Sequence, residues 1–241
     1  MNTDAVGSEA LRYRAILEQS SDTLLAKMGH ELRTPLSGIL GFSELLERRS
    51  FGPLTERQQI YVKNIQTCGW GLQKLLSDLV DLSRIEVGTL SLSREWTSLD
   101  SLVEAAIGDT RTLAFGRRIT LSASLHPELP KVWVDPVRMQ QLLGNLLAFA
   151  VKVTPESSSV RLTACEDQGG VRVSVMHAGT GVEPLPGEPP DDAGVGLVLA
   201  RRLLEMHGGR LDANTDARGE ATFIATIPLN QQNQGGCINV A

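Results

Sequence analysis

The stretch LLAKMGHELRTPLSGILGF, Leu24 to Phe42, gathers His30, Glu31 and Thr34 just ahead of Pro35. Imidazole titrates near neutrality, so His30 can take a proton or, as a nucleophile, accept a phosphoryl group and release it again. Glu31 alongside can orient the ring or receive its proton. Thr34 follows one helical turn later, where its hydroxyl can place a water for hydrolysis of a partner's acyl phosphate. Pro35 removes a backbone donor and loosens the helix beside it, which lets the segment bend toward different partners. An isolated histidine on an amphipathic helix is otherwise an ordinary surface residue. Its surroundings decide between the two readings.

Those surroundings are helical and of long period. Leu25, Met28, Leu32, Pro35, Ile39, Phe42 and Leu46 recur at steps of three and four, a heptad seam that leaves His30 on the outer face. After RRSFGPL the pattern resumes with Tyr61, Ile65, Cys68, Leu72, Leu75, Leu79 and Leu82, and Thr55 with Gln58 reads as a capping box opening this second helix. Two seamed helices joined by a Gly-Pro turn form an antiparallel hairpin. One hairpin cannot cover its own stripe, so the expectation is a homodimeric four-helix bundle; the alternative is that the second half of the chain covers it.

From about Leu90 the texture becomes mixed α/β. ITLSASL, VRLTACE, VRVSVMH and ATFIATI read as strands. Asp135 caps a helix that begins at Pro136, and GLVLARRLLEMHGG is a second helix closing on a glycine pair. The expected domain is an α/β sandwich with helices on one sheet face. His207 is expected at a helix end in a structural role, where it favours the dipole and caps carbonyls, and His126 in a loop. Trp70 and Trp96 are expected to pack near the bundle and the interdomain junction.

Bulk properties narrow the function. A net charge of −5 argues against a nucleic-acid binder. Cys68, Cys165 and Cys237 have no CxxC or metal-ligand spacing, which fits reduced thiols in a cytoplasmic protein. No apolar run approaches the ~20 residues of a membrane span, and no signal peptide is evident.

GHELRTPL resembles the phosphoacceptor box of the sensor histidine kinases of two-component signalling, and the resemblance covers most of the chain, from about Ser20 to Pro228. It implies an N-terminal helical extension over 1–19, a dimerisation and histidine-phosphotransfer hairpin over 20–88, an ATPase-like domain over 89–229 and a disordered tail over 230–241. It further implies that His30 is the phosphorylated residue, that Glu31 is its helper carboxylate, and that Glu31 with Thr34 serve phosphatase activity toward a response-regulator receiver domain.

The nucleotide pocket departs from the family's pattern. The helix after VWVDPVRMQQLL normally carries a second asparagine that holds magnesium between the phosphates; here Asn145 and Lys152 remain, but that position is Phe149. Magnesium demands oxygen ligands, and phenylalanine has none. The next box normally opens with an aspartate that receives the adenine amino group; here HAGTGV keeps Gly179 and Gly181 but begins with His177. Losing that acceptor costs on the order of 1–3 kcal/mol, although a neutral imidazole can still accept one hydrogen bond. The lid is reduced to EPLPGEPPDDAG, acidic and without Lys, Arg or aromatic, so it would repel a triphosphate. Gly194 and Gly196 are in place, but Asp192 stands where a glycine is common.

Asn145, Lys152, Gly179, Gly181, Gly194 and Gly196 are therefore expected to be a remnant pocket, with no resident metal and no useful ATP affinity. The expected function is His-Asp phosphotransfer or receiver dephosphorylation through His30, with Mg²⁺ supplied by the receiver domain. The alternatives are an ATP-dependent autokinase with an unconventional pocket, and a pseudokinase module that regulates a partner histidine kinase.

Overall fold

The computed structural model describes residues 29, 31–48, 52–167, 169–178, 194–216 and 220–229. The expected extension over 1–19 and tail over 230–241 lie outside them. The chain divides into two compact units after Ser91.

The first unit is an antiparallel helical hairpin of α1, helical over 31–47, and α2, Glu56–Glu86. The capping box forms: the Gln58 amide donates to Thr55 Oγ1 at 3.4 Å, and the Thr55 amide donates to Gln58 Oε1 at 2.9 Å. Near the turn Gln66 donates to Glu47 at 2.9 Å; further along, Gly69 faces Leu40 and Gly29 faces Val80. The contact between the helices runs through Leu36, Leu40, Ser43, Val62 and Gly69, all buried. The heptad seam is a different stripe. Its members Leu32, Ile39, Phe42, Leu46, Tyr61, Ile65, Leu72, Leu75 and Leu79 are exposed, so the hairpin leaves its predicted seam open.

The second unit runs β1 (Glu95–Thr97), α3 (Leu99–Gly116), β2 (Thr120–Leu125), β3 (Val132–Val134), α4 (Pro136–Val153), β4 (Ser159–Asp167), β5 (Gly170–Ala178), α5 (Gly194–Met206), β6 (Arg210–Thr215) and β7 (Glu220–Pro228). A five-stranded sheet has the order β2-β4-β5-β7-β6, with β2 parallel to β4 and the other pairs antiparallel. The period of two puts Val160, Leu162 and Ala164 of β4, Val171, Val173, Val175 and His177 of β5, and Ala221, Phe223, Ala225 and Ile227 of β7 in the core. Leu142, Leu143, Leu146 and Leu147 of α4 are buried to 1% exposure or less, each contributing about 2 kcal/mol of burial.

Both ends of the main helices form as their sequences require. Asp135 Oδ1 accepts from the Arg138 amide at 3.0 Å, with Pro136 in the first turn. At the end of α5, Gly208 takes φ of 77° and the Gly209 amide donates to Leu204 O at 2.9 Å.

Some elements were not anticipated. The helix α3 and the strand β6 have no counterpart in the sequence reading, nor does the two-stranded sheet of β1 and β3. In that small sheet Trp96 lies opposite Trp133 with ring centroids 5.4 Å apart, so Trp96 packs on a strand partner. Trp70 is 52% exposed on α2 of the single chain.

Candidate functional site

Glu31 and Thr34 lie on α1, three residues apart and both exposed, so they share one face of the helix. His30 lies outside the described residues. Gly29 before it is helical and buried, and is the point where α1 approaches Val80 of α2.

The remnant pocket residues scatter over the second unit. Asn145 is buried on α4, and Gly196 of α5 packs on it: a Cβ at Gly196 would meet the carboxamide at 3.5 Å, ordinary contact. Gly194 opens α5 with φ of 73°, a conformation that favours glycine. Lys152 is exposed near the end of α4, and its carbonyl accepts a hydrogen bond from the Arg117 guanidinium. Gly179 and Gly181 lie outside the described residues, as does the acidic lid with Asp192. Asn145 and Gly196 are thus brought together, while Lys152 faces outward.

The two substituted positions pack on one ring, Phe223. His177 is 6% exposed at the fourth core-facing position of β5, and its ring stacks on Phe223 of β7 at 5.6 Å and 25°. Phe149 of α4 meets the same Phe223 edge-on at 5.4 Å and 80°. The register explains the first contact: Phe223 pairs with Val175 and is the diagonal neighbour of His177 on the same face. Phe223 was not singled out in the sequence, although the alternation of ATFIATI already places it inward.

Protonation follows from burial. Desolvation lowers the His177 pKa from its ordinary value, partly offset by the hydrogen bond from Nδ1 to Ala178 O at 3.2 Å. With Nδ1 donating, Nε2 is an acceptor; it is buried and meets no hydrogen-bond partner among the described residues.

His207 caps a carbonyl at the helix end as expected, but as a neutral ring. It is 5% exposed, and burial lowers its pKa; the bond to Leu203 O opposes this, Arg94 adds to it and Asp135 opposes it. Nδ1 donates to Leu203 O at 2.8 Å while Nε2 accepts from the Asp135 amide at 3.0 Å. The ring is therefore neutral and joins the end of α5 to the cap of α4, and it is not a cation on the helix dipole.

Comparison with known proteins gives a consistent answer. The family model "His Kinase A (phospho-acceptor) domain" matches residues 20–88, and "Histidine kinase-, DNA gyrase B-, and HSP90-like ATPase" matches residues 134–231. The chain belongs to the sensor histidine kinases of two-component signalling. Histidine protein kinase DivJ of Caulobacter vibrioides is 32% identical over 219 residues, covering 85% of this chain and 37% of that protein. Circadian input-output histidine kinase CikA of Synechococcus elongatus is 32% identical over 237 residues, covering 91% of this chain and 31% of the relative. This kinase-family chain thus spans about a third of the length of these relatives. Full-length ShkA, solved in complex with AMPPNP, superposes with a TM-score of 0.68 at 31% identity, over 86% of this chain and 45% of that one. The histidine kinase AdeS of Acinetobacter baumannii, 20% identical with a TM-score of 0.58 over 83% of this chain and 98% of that one, shares the fold. Among the described residues no helix is long and apolar enough to cross a membrane.

Proposed function

We propose that this chain handles phosphoryl groups at His30 without drawing them from a nucleotide in its own α/β domain. In the forward sense, an imidazole nitrogen of His30 attacks the acyl phosphate of a receiver domain. The N–P bond forms, the P–O bond to the aspartate breaks, and the electron pair leaves on the carboxylate while Glu31 takes the ring proton. In the hydrolytic sense Thr34 and Glu31 place a water against the same phosphorus. Positioning and charge neutralisation supply most of such catalysis, with the receiver's acidic pocket holding Mg²⁺. The exposed seam of the hairpin is the surface through which two copies pair.

The observation that carries this reading is the ring array. Phe149 and His177, at the positions where the family pattern has a magnesium-holding asparagine and a base-reading aspartate, both pack on Phe223. The residues present do not fit a magnesium nucleotide. A hydrocarbon ring offers a hard cation nothing, and the neutral imidazole carries no negative charge toward an adenine amine. Incubation with a phosphorylated receiver should label His30 or accelerate loss of the receiver's label; His30→Gln should abolish the first and Thr34→Ala the second. A chain that does neither refutes the proposal.

A second reading has one specific support: the 31% identical ShkA is solved with AMPPNP, so the shared fold can hold such a ligand. Titration calorimetry with an ATP analogue and Mg²⁺ separates the two. Saturable heat in the micromolar range, with acid-labile labelling that vanishes in His30→Gln, would make the chain an autokinase.

A further inference from the structure

The hairpin interface carries a glycine on each helix, each facing a branched side chain of the other. A Cβ on Gly69 would lie 2.7 Å from Leu40 Cδ2, and a Cβ on Gly29 would lie 2.4 Å from Val80 Cγ2. Both distances are well inside van der Waals contact, but the two sites differ in how they can yield. Leu40 branches at Cγ and can swing its end away. Val80 branches at Cβ and has one strongly preferred rotamer in a helix, so at Gly29 the backbone itself must move. Other glycines of these helices do not share this constraint: at Gly38, Gly41 and Gly71 an added Cβ would meet nothing within 4 Å.

Gly29 immediately precedes His30 in the chain, and the same helix presents Glu31 and Thr34 to solvent. The depth at which α1 sits on α2 at Gly29 therefore sets the height of the turn that bears Glu31 and Thr34. In-line phosphoryl transfer needs its reacting atoms about 3–3.5 Å apart, and a shift near 1 Å costs roughly 100-fold.

We propose that Gly29, seated against Val80, is a positioning residue for phosphoryl transfer at His30, its missing Cβ fixing how deeply the turn that carries Glu31 and Thr34 sits on α2. The inference rests on the reading of His30 as the phosphoacceptor. It adds two residues to that reading, neither of which touches phosphate.

The test uses the full chain and two donors. Phosphoramidate labels an accessible histidine without docking, and a receiver domain phosphorylated with acetyl phosphate, chosen because it labels the unaltered chain, requires docked geometry. Gly29→Ala should slow transfer from the receiver at saturation by roughly 10- to 100-fold, with half-saturation within about twofold and phosphoramidate labelling within about threefold. Gly29→Ala with Val80→Ala makes room for the new methyl group and should restore transfer to within about threefold of the original rate. Should Gly29→Ala lose its helical circular dichroism, Val80→Ala alone carries the test, with transfer about three- to tenfold slower as the contact loosens. Transfer that is unchanged in the variant used, or a slow Gly29→Ala that the second substitution does not rescue, overturns the inference alone. An unaltered chain that takes label from neither donor removes the phosphoacceptor reading and the inference together.

Discussion

Both ring nitrogens of His207 are engaged inside the second unit, one donating to Leu203 and the other accepting from Asp135. Protonation would place a second N–H against the Asp135 amide, which can only donate. The folded-state pKa lies below the unfolded value near 6.5, so below that pH the unfolded chain binds more protons than the folded one. Stability from this group is therefore complete above pH 6.5 and falls as the solution is acidified; His177 contributes in the same direction. Urea midpoints compared at pH 7.5 and pH 5.5 should show the loss, and His207→Gln should reduce it. His207→Ala leaves an amide and a carbonyl buried without their partner and should cost about 1–3 kcal/mol by the same measurement. Phe149→Ala removes one edge of the ring array from a half-buried site and should cost about 2 kcal/mol in chemical denaturation.

At the scale of elements, the hairpin turn depends on local chemistry more than on burial. Thr55 and Gln58 close the capping box in an exposed segment, so Thr55→Ala should cost about 1 kcal/mol and fray the start of α2, visible as faster amide exchange over the first turn. That box could be read from the sequence because it consists of two residue types at a fixed spacing. The cap of α4 by Asp135 and the core strands β4, β5 and β7 could be read for the same kind of reason, as could the face of His177 on β5. The helix α3 was not, since its apolar set of Leu99, Leu102, Val103 and Ala106 is short and ends in the small residues Thr110 and Ala114. The strands β1 and β3 have three residues each, too few to show a period. The stripe joining α1 to α2 was hidden for a different reason: two of its contacts are glycines, and a hole leaves no mark in a hydrophobic pattern. Phe223 was hidden because its importance comes from two neighbours that the sequence places 74 and 46 positions away, the spans from Phe149 and from His177.

For the whole molecule, the main feature is the apolar surface that one hairpin leaves uncovered. Leu32, Ile39, Phe42, Ile65, Leu72 and Leu75 are each between 44% and 72% exposed on two neighbouring helices, far more contiguous apolar surface than a solitary hairpin needs. Pairing of two copies through this stripe, as proposed above, would bury it in a four-helix bundle. Leu72→Asp places a charge in that stripe and should halve the mass seen by light scattering while leaving the α/β unit folded, because none of its core residues belong to the seam. A monomer in the unaltered chain would contradict the pairing.

Cys68 sits in the middle of that stripe, between Ile65 and Leu72, and is solvent-accessible in the single chain. On the proposed pairing, this thiol would be a built-in chemical reporter of assembly. Maleimide should alkylate Cys68 rapidly in dilute samples and slowly in concentrated ones, whereas Cys165, exposed on β4 of the other unit, should react at one rate throughout. The ratio of the two rates, each followed on its own peptide so that Cys237 does not contribute, would across a dilution series then give the association constant.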